Sequence, residues 1–121
     1  MTDSRRDRGL TLFREIYDGL IPDPPPEGHQ IDAYMEHMLD QLFGEVWARN
    51  VLSVRDRRLL ILGALMATGE DKMFELHARA AHRLGELDDA QMRELIVFMV
   101  HYIGYPKGSK FWTAIEGVLA G

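Results

Sequence analysis

Hydrophobic side chains recur every three or four positions along most of the chain, and no stretch alternates as a strand would. Residues at this spacing lie on one face of a helix, so the pattern predicts amphipathic helices. It predicts six of them, over about residues 4–18, 31–49, 53–68, 71–85, 88–104 and 109–119. The predicted fold class is therefore all-α.

The predicted helix ends carry residues that suit those positions. Ser53, Asp71 and Asp88 each precede an apolar helical run, and their side chains can accept hydrogen bonds from the first free amides. Gln91 lies three residues after Asp88 and would complete a capping box. Glycine, which readily adopts the left-handed conformation at helix C-termini, follows three of the runs, at Gly69, Gly85 and Gly104.

A proline-rich segment, Pro22-Asp-Pro-Pro-Pro26, separates the first helix from the rest. Proline lacks an amide hydrogen and fixes φ, so this segment is expected to form a stiff, extended connector. The length of 121 residues suits one domain. We expect a single domain over 1–121, with the first helix and connector in 1–30 and a helical core in 31–121.

Two predicted helices are apolar on nearly every face. They contain Leu59-Leu-Ile-Leu62 and Leu95-Ile-Val-Phe-Met-Val100. A helix of this kind must be covered on every side, and a chain of this length has few layers with which to cover it. The sequence therefore predicts a homo-oligomer, in which contacts between subunits supply the missing cover.

Composition removes several functional classes. The chain has no cysteine, which excludes disulfides, thiolate metal sites and thiol redox chemistry. Its net charge of −5 argues against nucleic-acid binding, which needs a basic surface. No apolar run is long enough to span a membrane, and no signal-peptide pattern follows the N-terminus. We expect a cytoplasmic protein with no nucleic-acid or membrane partner.

The fourth predicted helix places His77 on its apolar face and His82 on its polar face. A buried neutral imidazole that titrates near neutrality would suit proton transfer. The alternative is a core histidine that is satisfied by a backbone carbonyl or a carboxylate. The two histidines do not share a face and form no His-Glu-x-x-His motif, so no metal site is predicted.

Glu94 and His101 share one face of the fifth predicted helix. Glu94 would orient an imidazole on a neighbouring helix or accept an arginine, or else it is a solvated surface acid. His101 would face the same site or merely flank Tyr102. For Trp47 and Tyr102, core packing and pocket lining are both open.

Arg55, Arg57 and Arg58 crowd the first turn of the third predicted helix. Cations at a helix N-terminus interact unfavourably with the helix macrodipole unless a nearby anion neutralises them. The carboxylate of a ligand would be one such anion, because it can accept two parallel hydrogen bonds from a guanidinium. Surface glutamates or Asp56 would be another.

Several of these residues together resemble the carboxymuconolactone decarboxylase family. The matching segments are Val46-Trp-Ala-Arg49, Arg55-Asp-Arg57, Leu76-His-Ala-Arg-Ala-Ala81, Gly85, Glu94 and Tyr102-Ile-Gly-Tyr-Pro106. The resemblance implies an alkylhydroperoxidase D-like helical subunit that forms trimers or hexamers, with sites near subunit interfaces. The peroxidase branch of that superfamily carries Cys-x-x-Cys where this chain has Glu70 and Met73, so the resemblance points to the cysteine-free branch.

The cysteine-free branch includes cofactor-independent decarboxylation of 4-carboxymuconolactone in aromatic catabolism. The lactone carbonyl of that substrate takes up the electrons that the departing carbon dioxide leaves behind, so no cofactor is implied. The resemblance implies His77 as proton donor or oxyanion partner and Glu94 as its orienting or charge-balancing acid. It also implies that Arg55 and Arg57 grip carboxylates and that Trp47, Tyr102 and His101 line the pocket.

The expected function is therefore that of a cofactor-independent decarboxylase acting on a small carboxylated lactone or a related keto or enol acid. The alternative is a non-catalytic helical oligomer of the same fold that binds a small ligand or has a structural role. A helix-turn-helix around Gly85 is a weaker alternative, because its second helix is too apolar to lie in a DNA groove.

Overall fold

The computed structural model describes residues 4–24 and 31–121. The described residues form six helices, which confirms the all-α prediction. Their bounds are Arg5–Tyr17 (α1), Ala33–His37 continuing through Met38–Val46 (α2), Val54–Thr68 (α3), Asp71–Arg83 (α4), Asp89–Ile103 (α5) and Tyr105–Leu119 (α6). Over these same residues no strand is present, and no helix is long and apolar enough to cross a membrane.

One of the predicted helix caps is confirmed, and α1 has a cap that was not predicted. Ser4 accepts a hydrogen bond from the amide of Asp7 at the start of α1. Asp88 and Gln91 form the complete capping box at the start of α5, which confirms that prediction. Asp71, in contrast, is not the cap of α4: it lies in the first turn, and Glu70 precedes the helix without a side-chain capping bond.

The last helix begins earlier than the sequence predicted. We expected Pro106 to lie between two helices, but α6 begins at Tyr105 and runs through it. Proline is compatible with the first helical turn because the amide hydrogen that it lacks would have no partner there. Gly104, with φ of +86°, ends α5 and makes the sharp change of direction into α6.

Helix α2 is not a regular α-helix along its whole length. Its first part is α-helical, and residues Met38–Val46 are π-helical, with the amide of Trp47 bonded to the carbonyl of Leu42. The prediction of one helix over this region holds, but the π-helical part turns through a smaller angle per residue than the regular helical repeat implied. Of the proline-rich connector, Pro25 and Pro26 lie outside the described residues.

The chain divides into two compact units, one ending at Val54 and one comprising Arg55–Gly121. In the first unit, α1 packs on α2 at two glycines, Gly9 and Gly44. A Cβ on Gly9 would overlap the carbonyl of Leu39, and one on Gly44 would overlap the carbonyl of Arg5. The side chains of Phe13, Tyr17, Phe43 and Trp47 form the aromatic part of this core.

The second unit has its own hydrophobic core, built from α3, α4, α5 and α6. Phe74 and Phe111 meet edge to face at its centre, with ring centroids 5.0 Å apart. Gly108 lets α6 approach α5 closely, since a Cβ there would lie 2.6 Å from the side chain of Val100. This unit contains every residue of the candidate site described below.

Several large apolar side chains of this unit remain exposed in the single chain. They are Leu60, Met73, Leu84, Val97, Phe98, Tyr102, Tyr105 and Trp112. Tyr102 is 76% exposed and Phe98 is 58% exposed. Exposed apolar area on this scale is typical of surfaces that bind partners, and the homo-oligomer stays a prediction that this surface supports.

Candidate functional site

A cavity of about 380 Å³ lies between α3 and α5. Its walls are mostly apolar, and three polar side chains lie among them. The lining residues are Arg55, Leu59, Gly63, Met66, Leu87, Gln91, Glu94, Leu95, Phe98 and Met99. A mostly apolar concavity with a few convergent polar groups is the usual form of a small-molecule site.

Arg55, which the sequence assigned to carboxylate binding, lines this cavity. It is half-buried in the first turn of α3, and its Nε donates a hydrogen bond to the main-chain carbonyl of Glu86 at 2.9 Å. Among the described residues, no acceptor lies on its terminal nitrogens Nη1 and Nη2. The N–H groups of these two nitrogens are therefore the ones that Arg55 can offer to a ligand.

Glu94, the predicted acid, lines the same cavity from α5. Over the described parts of the chain it forms no ion pair with Arg55 and no hydrogen bond to another side chain. A cation and a carboxylate that share an apolar cavity without neutralising each other are available to a ligand that carries both an anionic and a proton-bearing group. The structure thus brings together two of the predicted site residues.

His77 lies elsewhere, in the interior of the unit. Its side chain is 1% exposed, and it is not part of the cavity wall. Its Nδ1 lies 3.0 Å from Nη1 of Arg58, which is itself fully buried. The inward direction predicted for His77 is confirmed, and its Nδ1 faces a buried guanidinium.

The electrostatics of His77 also differ from the expectation. Burial, and then the positive charge of Arg58, lower its pKa from 6.5 to about 4. The imidazole is therefore neutral at pH 7 and does not titrate near neutrality as the sequence suggested. A neutral ring can accept the hydrogen bond that Arg58 donates, which a protonated ring cannot.

Arg58 is held by Glu86 as well as by His77. Its Nε and Nη2 donate to the two carboxylate oxygens of Glu86, at 2.9 and 3.1 Å. Glu86 follows α4, and its amide bonds to the carbonyl of Ala81. The anion that neutralises Arg58 is thus a glutamate of the protein, whereas the bond of Arg55 to Glu86 is made to a neutral main-chain carbonyl.

The other predicted site residues are more dispersed. Arg57 is half-buried on α3 and is absent from the cavity wall. Tyr102 is exposed, with its ring 5.3 Å from that of Phe98. His101 lines a separate cavity of about 410 Å³ between α5 and α6, and its Nδ1 lies 2.9 Å from the carbonyl of Val97.

Trp47 belongs to the first unit and is 8% exposed. Its ring stacks on Phe43, with centroids 6.2 Å apart. It also lines a cavity of about 510 Å³ within that unit, together with Arg8 and Arg49. Core packing, one of the two interpretations left open for this residue, describes its place in the structure.

Sequence reasoning missed the importance of Arg58 and Glu86. Arg58 appeared in the sequence only as one of several arginines, and Glu86 as one of several polar residues around the end of α4. No local pattern distinguishes a buried arginine from its exposed neighbours. Gln91, another lining residue, was recognised only as a helix-capping residue, a role that it fulfils. Within residues 4–24 and 31–121, no group of three or more potential metal ligands is clustered.

Comparison with known proteins agrees with the resemblance noted in the sequence. A curated relative, the 4-carboxymuconolactone decarboxylase of Acinetobacter baylyi, is 34% identical over 76 residues, which amount to 63% of this chain and 56% of the relative. The chain thus spans little more than half of the length of that relative. The family model for carboxymuconolactone decarboxylases matches residues 32–116, which include all of α2 to α5 and the cavity described above. The chain belongs to the carboxymuconolactone decarboxylase family.

Proposed function

We propose that the protein is a cofactor-independent carboxy-lyase that acts on a small carboxylated lactone or a related keto or enol acid. The cavity between α3 and α5 is its binding site in this proposal. The observation that carries the proposal is the joint presence of Arg55 and Glu94 in one mostly apolar cavity. The name of the relative from Acinetobacter baylyi supports the choice of reaction.

Arg55 would bind the carboxylate of the substrate through its terminal nitrogens. A guanidinium offers parallel N–H groups that match the two oxygens of a carboxylate. The apolar wall formed by residues such as Leu59, Met66 and Met99 would cover the ring. Covering the anion in this way removes water, and loss of carbon dioxide then disperses a charge that was concentrated on the carboxylate.

The reaction needs no external electron acceptor in such a substrate. The bond between the ring carbon and the carboxylate carbon breaks, carbon dioxide departs, and the electron pair moves through the double bond onto the lactone carbonyl oxygen. One proton must then be added to carbon. Glu94 supplies the carboxyl group of the cavity wall and would deliver this proton in the proposal, and stabilisation of the developing oxyanion would supply the remaining rate enhancement.

The role of His77 as direct proton donor stays a prediction. Its burial, its neutral state at pH 7 and its bond with Arg58 favour a supporting role over direct proton transfer in the single chain. The resemblance implied a proton donor, and the difference arises because helical periodicity indicates the face of His77 but not its contact with Arg58.

The proposal is tested by following the ultraviolet absorbance of 4-carboxymuconolactone and the release of carbon dioxide with the purified protein. We expect turnover, a KM raised roughly tenfold or more in Arg55→Ala because a charge-assisted fork is lost, and a lower kcat in Glu94→Gln. Arg93→Ala is the matched control, since Arg93 is an arginine of the same unit that lies on α5, bonds to Glu116 and does not line the cavity.

Absence of both turnover and binding at high protein concentration would contradict the proposal for this substrate class. Equal KM values for wild type and Arg55→Ala would remove Arg55 from the site. Binding that depends on Arg55 but leads to no turnover would support the second candidate, a non-catalytic protein that binds a small carboxylate. The specific observation that favours this candidate is the buried, neutral state of His77.

A further inference from the structure

Glu86 connects the buried interior of the second unit with the cavity between α3 and α5. Its carboxylate accepts two hydrogen bonds from Arg58, and its main-chain carbonyl accepts one from Nε of Arg55 at 2.9 Å. One residue thus contacts the fully buried arginine with its side chain and the cavity arginine with its backbone.

Each of the three guanidinium nitrogens of Arg58 has an acceptor. Nε and Nη2 are taken by the carboxylate of Glu86, and Nη1 is directed to Nδ1 of His77 at 3.0 Å. A guanidinium that is removed from water needs an acceptor in each of these directions, because a buried donor without a partner is costly. His77 therefore completes the hydrogen bonding of Arg58.

The identity of Arg58 fixes the tautomer of His77. A guanidinium donates only, so Nδ1 of the imidazole must accept, and the hydrogen of the neutral ring must lie on Nε2. The lowered pKa of His77, which results from burial and from the charge of Arg58, is consistent with a ring that stays neutral. In this arrangement the ring is an acceptor that supports an arginine.

The consequence at the cavity is a defined orientation for Arg55. Its Nε hydrogen bond to the carbonyl of Glu86 fixes the plane of the guanidinium, and Nη1 and Nη2 keep their donors. A long side chain that is held at one nitrogen loses less conformational freedom when it binds a ligand. The position of the Glu86 carbonyl in turn depends on the two hydrogen bonds that Arg58 donates to the Glu86 carboxylate.

We infer that Glu86 is a positioning residue for Arg55, and that His77 and Arg58 serve the site by holding Glu86 in place from the interior. The inference rests on the proposed function for the identity of the ligand, a small carboxylate. It assigns to His77 a structural acceptor role in this chain, with no proton transfer to substrate, and it makes Arg58 and Glu86 functional without contact with the ligand.

The test uses the full chain and two independent measurements. The first is the NMR signal of the Arg55 Nε–H and the rate at which this hydrogen exchanges with water. The second is the Kd for γ-carboxy-γ-butyrolactone, a saturated lactone carboxylate that lacks the double bond needed for decarboxylation. In the wild type we expect slow exchange of the Arg55 Nε–H and a His77 ring with its hydrogen on Nε2.

Substitutions at His77 separate the acceptor role from the proton-donor role. His77→Leu removes the acceptor, and we expect faster exchange at Arg55 and a Kd raised about tenfold, the size of one charge-assisted hydrogen bond. His77→Asn can place an amide oxygen near the position of Nδ1, so we expect it to restore both values toward wild type. Glu86→Gln, which keeps the shape of the side chain, should behave as His77→Leu does, and Arg93→Ala should change neither value.

The outcomes distinguish this inference from the proposed function. Unchanged Arg55 exchange in His77→Leu and Glu86→Gln, or a wild-type His77 with its hydrogen on Nδ1, would overturn the positioning role even if turnover is found. Faster exchange in these variants, restored in His77→Asn, would support it even if no carboxylate binds and the proposed function fails. If the variants do not fold, the wild-type protein provides the test. A His77 hydrogen on Nε2 with slow exchange at Arg55 Nε–H supports the positioning role, and a hydrogen on Nδ1 or fast exchange overturns it.

Discussion

Two arginine–glutamate pairs in the second unit have nearly the same geometry and opposite surroundings. Arg58 and Glu86 meet in a fork at 2.9 and 3.1 Å, and Arg93 and Glu116 meet in a fork at 3.0 and 3.2 Å. The side chains of the first pair are 0% and 13% exposed, whereas those of the second are 54% and 37% exposed. The comparison separates the effect of burial from that of contact geometry.

Burial makes the first pair a requirement of the fold. A charge that is removed from water is tolerated only when its partner is present, so each member of the Arg58–Glu86 pair depends on the other. The exposed Arg93–Glu116 pair can lose either member, because water replaces the lost partner. The buried pair also has a third member, His77, and a link to Arg55, so its loss extends into the candidate site.

The largest expected effect is that of removing one buried charge. Glu86→Ala leaves the guanidinium of Arg58 without its anion, and we expect the free energy of unfolding to fall by about 3–5 kcal/mol. Urea denaturation followed by circular dichroism measures this change. Glu116→Ala is the control and should leave the urea midpoint nearly unchanged. Similar midpoints for the two variants would show that burial does not distinguish the pairs.

The next effect is a dependence of stability on pH that originates at His77. Burial and the charge of Arg58 lower its pKa from the ordinary 6.5 to about 4 in the folded protein, so the unfolded chain binds the proton more readily. Its contribution is fully present above pH 6.5 and is lost as the pH falls toward 4, by roughly 3 kcal/mol in total.

Unfolding free energies measured between pH 4 and pH 7 check this expectation. His77→Asn cannot titrate, so its stability should be flatter over that interval. The stability contributed by the exposed pair depends on pH in a different range, because the hydrogen bond from Arg93 lowers the pKa of Glu116 from 4.5. The stability that Glu116 contributes is present above that value and is lost only at more acidic pH. An identical pH slope in wild type and His77→Asn would contradict the assignment to His77.

The smallest effect is that of salt. Ions screen exposed charges strongly and buried charges weakly. We expect the interaction between Arg93 and Glu116, measured by a double-mutant cycle, to become undetectable when the salt concentration is raised to roughly 1 M. The corresponding cycle for Arg58 and Glu86 should change little. Equal salt sensitivity of the two cycles would indicate that Arg58 is accessible to solvent.

The fold was predictable to a large extent because its signals are local. The helical spacing, the Asp88–Gln91 capping box and the glycines after α3 and α5 each act over one or two turns, and all are found in the structure. The errors have local causes as well. Pro106 was treated as a helix breaker although the first turn of a helix accepts proline, and Asp71 was preferred over Glu70 as a cap.

The candidate site was predictable only in part. Periodicity placed His77 on an inward face and Glu94 on another helix, and the arginine cluster at the start of α3, together with the resemblance, indicated Arg55. Nothing in these patterns indicated which arginine of the α3 cluster would be buried. Arg58 and Glu86 are 28 positions apart, and Arg58 and His77 are 19 positions apart, so no helical repeat relates them.

The sequence by itself determined the helices, their ends and the class of residues on each face, because these depend on interactions between near neighbours in the chain. It also determined the family, since the matching residues are read in order along the chain. The tertiary structure decided the chemistry of those residues: it buried Arg58, kept His77 neutral, and placed Arg55 and Glu94 in one cavity. The physical reason is that the charge state and the partners of a side chain depend on what is distant in sequence and close in space.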